Sequence, residues 1–481
     1  MSNAGSSPDA GDAKRPGDGI GHGRLRRTAP LAALTARTAG EAVVVGLRSK
    51  LTGADSTEFH VRTAERYAEL LGRSKGALMK AGQMLSFMSL GPAVGKDFQS
   101  TYQAALTRLR NDAPPMASEF AREVLERELG NSIETVFAQF DWEPLAAASI
   151  GQVHAARLHN GRAVAVKIQY PGVAAAIRAD LQNTELLATF LGLISGLSPR
   201  SLSFDLRGAA HEIGERITEE LDYRLEATNQ AEFAELYRGH PFIRVPEVIG
   251  ELCTARVLTQ ELVQGRSWSD ALVADQELRD RWAEAIHRFL YGSYQYFHVF
   301  NADPHPGNYL FHDDGSVSFL DFGCVKRFGP EQIESLNVCM RECLRGDVDE
   351  TWRVSVEGGF FSPSGSLTPQ EVFAYWREPI EMYWGEQPFT ITPEYVARLI
   401  ELRYSPTGPS ANALRHMATP ATYTIMSRID IGVMSLISEL RATNQWETIG
   451  AEYFEGADPA TPMGKADRAH REELRGASSH A

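Results

Sequence analysis

Three polar side chains in the stretch 299–323 constrain this chain more than any other feature of its sequence. Asp303 and Asn308 lie five positions apart, and Asp321 begins an Asp-Phe-Gly triplet after a predicted hairpin. In phosphoryl transfer, one carboxylate orients the attacking group, while an amide and a second carboxylate hold Mg²⁺ against the phosphates. The stretch therefore predicts a site for a magnesium-bound nucleotide, with Asp303 in the base position and Asn308 and Asp321 in the metal positions.

A lysine at the end of an apolar strand pattern, Val164-Ala-Val-Lys167, fits the same site. A buried lysine is unfavourable unless its charge is paired. In protein kinases the corresponding lysine contacts the α- and β-phosphates and is held by a helical glutamate. Glu220 and Glu226 are the candidates, six apart on a predicted helix and so on roughly opposite faces, which lets only one of them pair with Lys167.

Two further segments predict contacts to a nucleotide. The small-residue loop Ala146–Gln152 stands where kinases carry a glycine-rich loop, but Gly151 is its one glycine. Alanine still allows a close approach to phosphate, yet it disfavours positive φ angles, so a stiffer loop is expected. The apolar strand Val257–Val263 is expected to contact adenine through its backbone, with Gln260 at the back of that pocket.

The order of predicted elements indicates an α+β fold with two lobes and a ligand in the cleft between them. Asn160-Gly161 is a strong signal for a tight turn between two strands. The predicted division is a disordered or variable N-terminus (1–45), a helical extension (46–130), a strand-rich N-lobe (131–264), a helical C-lobe (265–455) and a disordered tail (456–481).

Composition disfavours nucleic acid as a partner and favours a reducing compartment. The 48 Lys and Arg against 62 Asp and Glu give a net charge of −14, which disfavours nucleic acid. Four cysteines are few for 481 residues, so a reducing cytoplasm is predicted, with Cys339 and Cys343 as free thiols. No signal peptide or membrane-spanning run is recognised. The mildly amphipathic stretch 30–50 leaves a peripheral membrane contact open.

Taken together, these motifs make the chain similar to the UbiB/AarF family of atypical kinases, the activity of bc1 complex group. The resemblance covers about residues 56–440 and implies a protein-kinase-like fold with an N-terminal helical extension over the cleft. It rests on family motifs matched at Lys80-Ala-Gly-Gln83, Ala146–Ser149, Val164–Lys167 with Gln169-Tyr-Pro-Gly172, Glu220-Leu-Asp222, Asp303–Asn308 and Asp321-Phe-Gly323.

The resemblance also implies ATP and Mg²⁺ as cofactors, and ATP binding and hydrolysis rather than protein phosphorylation. It points to isoprenoid-lipid metabolism, especially that of ubiquinone. The implied catalytic residues are Asp303, Lys167, Glu226, Glu220 and Lys80, and the implied metal ligands are Asn308 and Asp321. The implied ATP contacts are Ala147, Ala148, Ser149, Gly151, Val153, Ala165, Lys167, Glu261 and Val263.

Two positions depart from the family pattern. Asn301 replaces the usual histidine two residues before the catalytic aspartate, and Gln260 replaces a hydrophobic residue. C-terminal membrane helices, found in some bacterial members, are not expected here.

Two other functions stay open. One alternative is a non-catalytic, nucleotide-gated scaffold. The other is a metal-dependent hydrolase using Asp303, His305, His312 and Asp313. The sequence carries no signal for an oligomeric state.

Overall fold

The computed structural model of this protein describes residues 116–148, 150–181, 218, 221–363, 365–405, 407–418 and 421–478. The predicted segment 1–45 and most of the predicted extension 46–130 lie outside the described residues, as do Lys80, Ser149 and Glu220. The described part is a mixed structure of helices and sheets, in agreement with the predicted α+β class.

The N-lobe, described residues 116–264, is built on a four-stranded antiparallel sheet in the order β1-β2-β3-β5. Its helices and strands are α1 (Ser118–Leu129), α2 (Ile133–Val136), β1 (Phe137–Ala148), β2 (Gly151–Leu158), β3 (Ala163–Gln169), α3 (Val173–Leu181), α4 (Tyr223–Leu236), β4 (Ile243–Arg244), a 3-10 turn (Gly250–Leu252) and β5 (Val257–Glu261). The predicted turn joins β2 to β3, and Gly161 adopts the positive φ of 87° that favours glycine there.

The two faces of β3 have different roles because alternate side chains point to opposite sides of a strand. Val164, Val166 and Ile168 are fully buried and pack in one cluster with α1 residues, including Val124 and Leu125. Burying side chains of this kind contributes about 1.5–3 kcal/mol each. The other face of β3 carries the lysine of the predicted nucleotide site, which is thereby held on a rigid central strand.

The C-lobe, residues 265–478, is largely helical. Its elements are α5 (Trp268–Leu272), α6 (Gln276–Phe297), β6 (Val299–Asn301), a 3-10 turn (Pro306–Asn308), β7 (Tyr309–Phe311), β8 (Val317–Phe319), β9 (Val325–Arg327), α7 (Pro330–Arg345), α8 (Val348–Glu357), α9 (Pro369–Arg377), a 3-10 helix (Glu378–Tyr383), β10 (Phe389–Thr390), α10 (Pro393–Tyr404), α11 (Ala411–Arg415), α12 (Ala421–Glu439), β11 (Thr443–Asn444), α13 (Trp446–Phe454) and α14 (Pro462–Ser478). Its apolar core surrounds α6, which is buried over most of its length.

Short strands bring the site's two loops together. β6 pairs with β9 in antiparallel register, with Asn301 opposite Val325. β7 and β8 form the predicted hairpin, and Gly315 in its turn has a φ of 82°. The loop that follows β6 and the loop that follows β8 therefore lie side by side.

The structure corrects two predictions. Residues 137–145 belong to a strand that the sequence pattern did not predict, and residues 146–148 and 150–152 lie at the tip of the β1–β2 hairpin. The predicted disordered tail contains helix α14, which packs against the main apolar core through Met463 and Ala466 and carries the buried Asp467. The Asp467 carboxylate lies 3.1 Å from the His240 ring nitrogen. A polar composition conceals this docking because only a few apolar side chains, Met463 and Ala466 among them, face the core.

The cysteines and membrane segments agree with expectation where they are described. All four cysteines are free thiols, and burial raises the pKa of both Cys339 and Cys343 to about 12. Within the described ranges, no helix is both long enough and apolar enough to cross a membrane.

Candidate nucleotide site

Lys167 stands at the centre of a cluster of charged side chains between the lobes. Its ammonium nitrogen donates to Glu226 Oε1 and Oε2 at 2.8 and 2.9 Å, and to Asp321 Oδ2 at 3.3 Å. It also lies 4.9 Å from the centre of the Tyr223 ring. Glu226, one of the two candidate glutamates, therefore pairs with the lysine; Glu220 lies outside the described residues. The structure joins a strand, a helix and the Asp-Phe-Gly loop at one nitrogen atom.

The charges of this cluster stabilise one another. Burial alone would lower the pKa of Lys167, but the carboxylates of Asp321 and Glu226 together raise that pKa well above its usual value. The lysine is therefore protonated at every physiological pH. The Glu226 side chain is 5% exposed and the Lys167 side chain 16% exposed, so water screens their attraction only weakly.

Helix α4 holds both Glu226 and the Asp-Phe-Gly loop. The helix begins where the Asp222 carboxylate accepts a hydrogen bond from the Arg224 N–H at 3.0 Å. One turn after Glu226, the Asn229 amide donates to the Phe322 carbonyl at 3.0 Å. The Phe322 ring is fully buried, so the loop is anchored on its apolar side as well.

The predicted base and metal positions are also adjacent. The Asn308 amide nitrogen donates to the carbonyl of Asp303 at 3.1 Å and to its Oδ2 at 3.2 Å. Asp321 Oδ1 accepts the N–H of Gly323 at 2.9 Å, which fixes the orientation of that carboxylate. Carboxylate and amide oxygens are the ligands that Mg²⁺ prefers, so Asn308 and Asp321 fit this ion.

Asn301 is a site residue whose role the sequence did not reveal. Its amide nitrogen donates to the Asp321 carbonyl at 2.8 Å, and its Oδ1 accepts the Asp303 N–H at 3.2 Å. One side chain thus ties the base loop to the metal loop. In the sequence, Asn301 is visible only as a departure from the family's histidine, because the spacing does not show that it bridges two loops.

Five of the residues predicted to contact ATP share one face of the N-lobe sheet, and Ala147 does not. Val153 lies opposite Lys167 in the register, and Ala165 and Gly151 alternate with them on the same face. Ala148 pairs with Gly151. Ala147 instead pairs with Gln152, which places it on the opposite face of the sheet. The register therefore argues against a side-chain contact from Ala147 to a nucleotide in the cleft.

The glycine at the hairpin tip is required by packing. A Cβ atom at Gly151 would stand 2.2 Å from the Ile168 carbonyl oxygen and 3.0 Å from the Tyr223 hydroxyl. No side chain fits there unless β2 separates from β3. The position was predicted to contact phosphate, and the structure gives it an additional reason to be glycine.

The predicted adenine contacts lie at the exit of the N-lobe. Glu261 ends β5, and its N–H donates to the Glu247 carbonyl at 2.8 Å. Gln260 pairs with Ala165, on the face that carries Lys167. Its side-chain oxygen is buried and accepts no hydrogen bond from any described residue. Val263 lies two residues beyond Glu261, in the connection to the C-lobe.

The histidines and Asp313 proposed for a hydrolase form hydrogen bonds or an ion pair with nearby residues. His305 Nδ1 accepts the Gly307 N–H at 2.9 Å, and the His312 ring bonds the Ser318 hydroxyl at 2.8 Å. Asp313 pairs with Arg266 at 2.6 Å. In the described part of the chain, no three His, Cys, Asp or Glu side chains converge as a metal site. The geometry therefore favours the nucleotide site over the hydrolase.

Comparison with known proteins agrees with this geometry. The ABC1 atypical kinase-like domain matches residues 108–355, more than half of the 481-residue chain. The chain belongs to the ABC1 atypical kinase-like family. The ABC1 chain is 33% identical over 300 residues to ACTIVITY OF BC1 COMPLEX KINASE 8 of Arabidopsis thaliana, covering 59% of this chain and 39% of that protein. It is 34% identical over 336 residues to the atypical kinase COQ8B of Rattus norvegicus, covering 69% and 60%.

A solved structure shares the ABC1 fold. The Mycobacterium tuberculosis protein Rv3197, determined as a complex with erythromycin, superimposes with a TM-score of 0.58 at 30% identity. The match covers 86% of this chain and 98% of that one. The two curated relatives are longer, since the ABC1 chain spans 39% and 60% of their lengths. The kinase-like fold predicted from the sequence is thereby confirmed.

Proposed function

We propose that this ABC1 protein binds Mg²⁺–ATP in the cleft and transfers or hydrolyses its terminal phosphoryl group. The observation that carries the proposal is the contact of Lys167 with both Glu226 and Asp321. Protein kinases need the lysine–glutamate pair and the Asp-Phe-Gly aspartate in place before phosphoryl transfer. In this chain the three side chains already meet.

Each side chain of the cluster has a role in the proposal. Lys167 holds the α- and β-phosphates, and Glu226 keeps the lysine extended toward them. Asn308 and Asp321 hold Mg²⁺, which neutralises phosphate charge when bound. Asp303 orients the attacking hydroxyl or water, and its position depends on the hydrogen bonds from Asn308 and to Asn301.

The acceptor in this proposal is water or a small lipid-like molecule rather than a protein. The support is the family resemblance at Lys80 and Glu220, because a helix over the cleft would exclude a protein substrate. The name of the Arabidopsis relative refers to the bc1 complex. From the family resemblance we propose an activity in isoprenoid-lipid or quinone metabolism, in the cytoplasm and with peripheral membrane contact.

Single-turnover ATP hydrolysis tests the proposal. With enzyme in excess over radiolabelled ATP, wild type should release phosphate in a Mg²⁺-dependent manner. Asp303→Asn should slow release by about 100-fold or more, as expected for a lost general base. The matched control is Asp313→Asn, an exposed aspartate on the neighbouring hairpin, which should retain the wild-type rate. Nucleotide binding without any Mg²⁺-dependent phosphate release would contradict the proposed enzyme and favour the nucleotide-gated scaffold.

A further inference from the structure

The C-lobe contains a cavity that none of the nucleotide-site residues lines. Its volume is about 190 Å³, and helices α6, α7, α9, α10 and α12 all contribute to its wall. The wall is mostly aromatic and aliphatic and includes Tyr294, Phe300, Met340, Trp376, Met426 and Phe454. A smaller apolar cavity of about 150 Å³ is known to admit benzene. The C-lobe cavity is therefore large enough for a small organic molecule.

A cation faces this apolar space. The Arg403 guanidinium lies 4.8 Å from the centre of the Tyr375 ring and 5.5 Å from that of Trp376. No carboxylate of the described residues lies within ion-pair distance of it. The Arg403 side chain is half-buried and lines the cavity. An arginine in such surroundings gains most from an anion placed against its fork of N–H donors.

The one acidic side chain in the wall does not supply that anion. Asp430 accepts a hydrogen bond from the Tyr291 hydroxyl at 3.0 Å. Burial raises the pKa of its carboxyl above the usual value, although Tyr291 and Arg403 act in the opposite direction. Asp430 and Arg403 interact electrostatically, but they are not within ion-pair distance of each other. The guanidinium at the polar end of the cavity is therefore not paired with a carboxylate of the described residues.

We propose that this cavity binds small organic carboxylates with an apolar body, and that Arg403 holds their carboxylate group. Arginine pairs with carboxylates through two parallel N–H donors, which favours an acid over an alcohol of the same shape. The aromatic wall accommodates the apolar body, as in most small-molecule sites. The site is distinct from the nucleotide cleft and does not depend on the function proposed for the cleft.

Binding of a matched acid and alcohol tests the proposal. The full chain is titrated calorimetrically with 4-phenylbutyrate and with 4-phenylbutan-1-ol, which share the same apolar body. Wild type should bind the acid about tenfold more tightly than the alcohol, because only the acid forms a charge-assisted pair. Arg403→Gln should abolish this preference and leave alcohol binding within about twofold of wild type. Equal binding by wild type, or a preference that survives Arg403→Gln, would overturn the proposal.

A second variant covers the case in which Arg403→Gln fails to fold. Met417→Phe narrows the cavity and leaves Arg403 in place. It should weaken the binding of both ligands, because their apolar bodies share the lost space. Undiminished binding of 4-phenylbutyrate to Met417→Phe would show that the acid binds elsewhere and would contradict the assignment.

Discussion

The Lys167 ammonium lies 2.8 Å from Glu226 Oε1, and the two residues are 59 positions apart in the sequence. The pair fixes helix α4 against strand β3. Glu226→Gln should therefore lower the free energy of unfolding by about 3 kcal/mol, the cost of breaking a buried ion pair from one side. Urea denaturation measures this loss.

A glutamate on the same helix supplies the control for that measurement. Glu232 pairs with Arg327 at the surface, where both side chains are more than one third exposed. Exposed pairs contribute about 0–1 kcal/mol, so Glu232→Gln should remain close to wild type. Equal losses in the two variants would mean that burial does not strengthen the Lys167–Glu226 pair.

Asn301 should matter to both loops that it connects. Asn301→Ala removes the hydrogen bonds to Asp321 and from Asp303 and should cost about 1–3 kcal/mol of stability. Because both loops carry site residues, affinity for Mg²⁺–ATP should also fall. Asn301→Asp keeps the acceptor for Asp303 and loses the donor to Asp321, so its affinity should be intermediate. Calorimetric titration measures affinity, and unchanged affinity in both variants would contradict the bridging role.

Gly432 on α12 packs closely against Pro304, which lies in the loop that carries the predicted base. A Cβ atom there would lie 2.6 Å from Pro304 Cγ, next to Asp303. Gly432→Ala should displace Pro304, cost about 1–3 kcal/mol through overpacking, and slow ATP turnover. The control is Gly292→Ala on α6, where the new methyl would meet Tyr237 Oη at 3.6 Å, an ordinary contact. That variant should match or exceed wild-type stability by about 0.5–1 kcal/mol. Wild-type turnover by Gly432→Ala would show that the contact is unimportant.

Buried His287 should make stability depend on pH. Its ring is fully buried and lies 2.8 Å from the Tyr383 hydroxyl. Burial, followed by the nearby Arg288 charge, lowers the pKa of His287 well below 6.5. The unfolded chain then binds a proton that the folded chain does not, so the free energy of unfolding falls as the pH drops below 6.5. The contribution is about 1.4 kcal/mol per pH unit.

His287→Gln isolates this contribution. The pKa values of buried His154 and His240 are also lowered, chiefly by burial, but both residues are present in wild type and variant alike. Urea midpoints measured between pH 5 and 7 should therefore fall less steeply for the variant. Parallel slopes for the two proteins would contradict a neutral His287 in the folded state.

The sequence predicted the residues of the cluster better than the contacts that orient them. Lys167, Asp303, Asn308 and Asp321 are recognisable because phosphate chemistry restricts both residue type and spacing. The pairing of Glu226 with the lysine depends on where α4 begins, which periodicity does not fix. The bridging role of Asn301 depends on the pairing of β6 with β9, and short strands leave little pattern in a sequence.

The fold, too, could be predicted from the sequence only in part. The two-lobed α+β class and the turns at Gly161 and Gly315 follow from the sequence, since positive φ strongly favours glycine. Helix α14 does not, because a largely polar segment with few apolar contacts resembles a disordered tail in composition. The strand at 137–145 was missed because it is largely exposed and its apolar alternation is confined to the short run Phe140–Pro144.

Mg²⁺-dependent nucleotide binding tests the central claim most directly. Thermal unfolding of wild type and Asp321→Asn is followed with ATP, in the presence and absence of Mg²⁺, with Asp313→Asn as the matched control. Wild type and the control should be stabilised by ATP only when Mg²⁺ is present, by about 2.7 kcal/mol at 100 times the dissociation constant. Asp321→Asn should lose this stabilisation. A wild-type protein that gains no stability from Mg²⁺–ATP would contradict the nucleotide site at Lys167, Asn308 and Asp321.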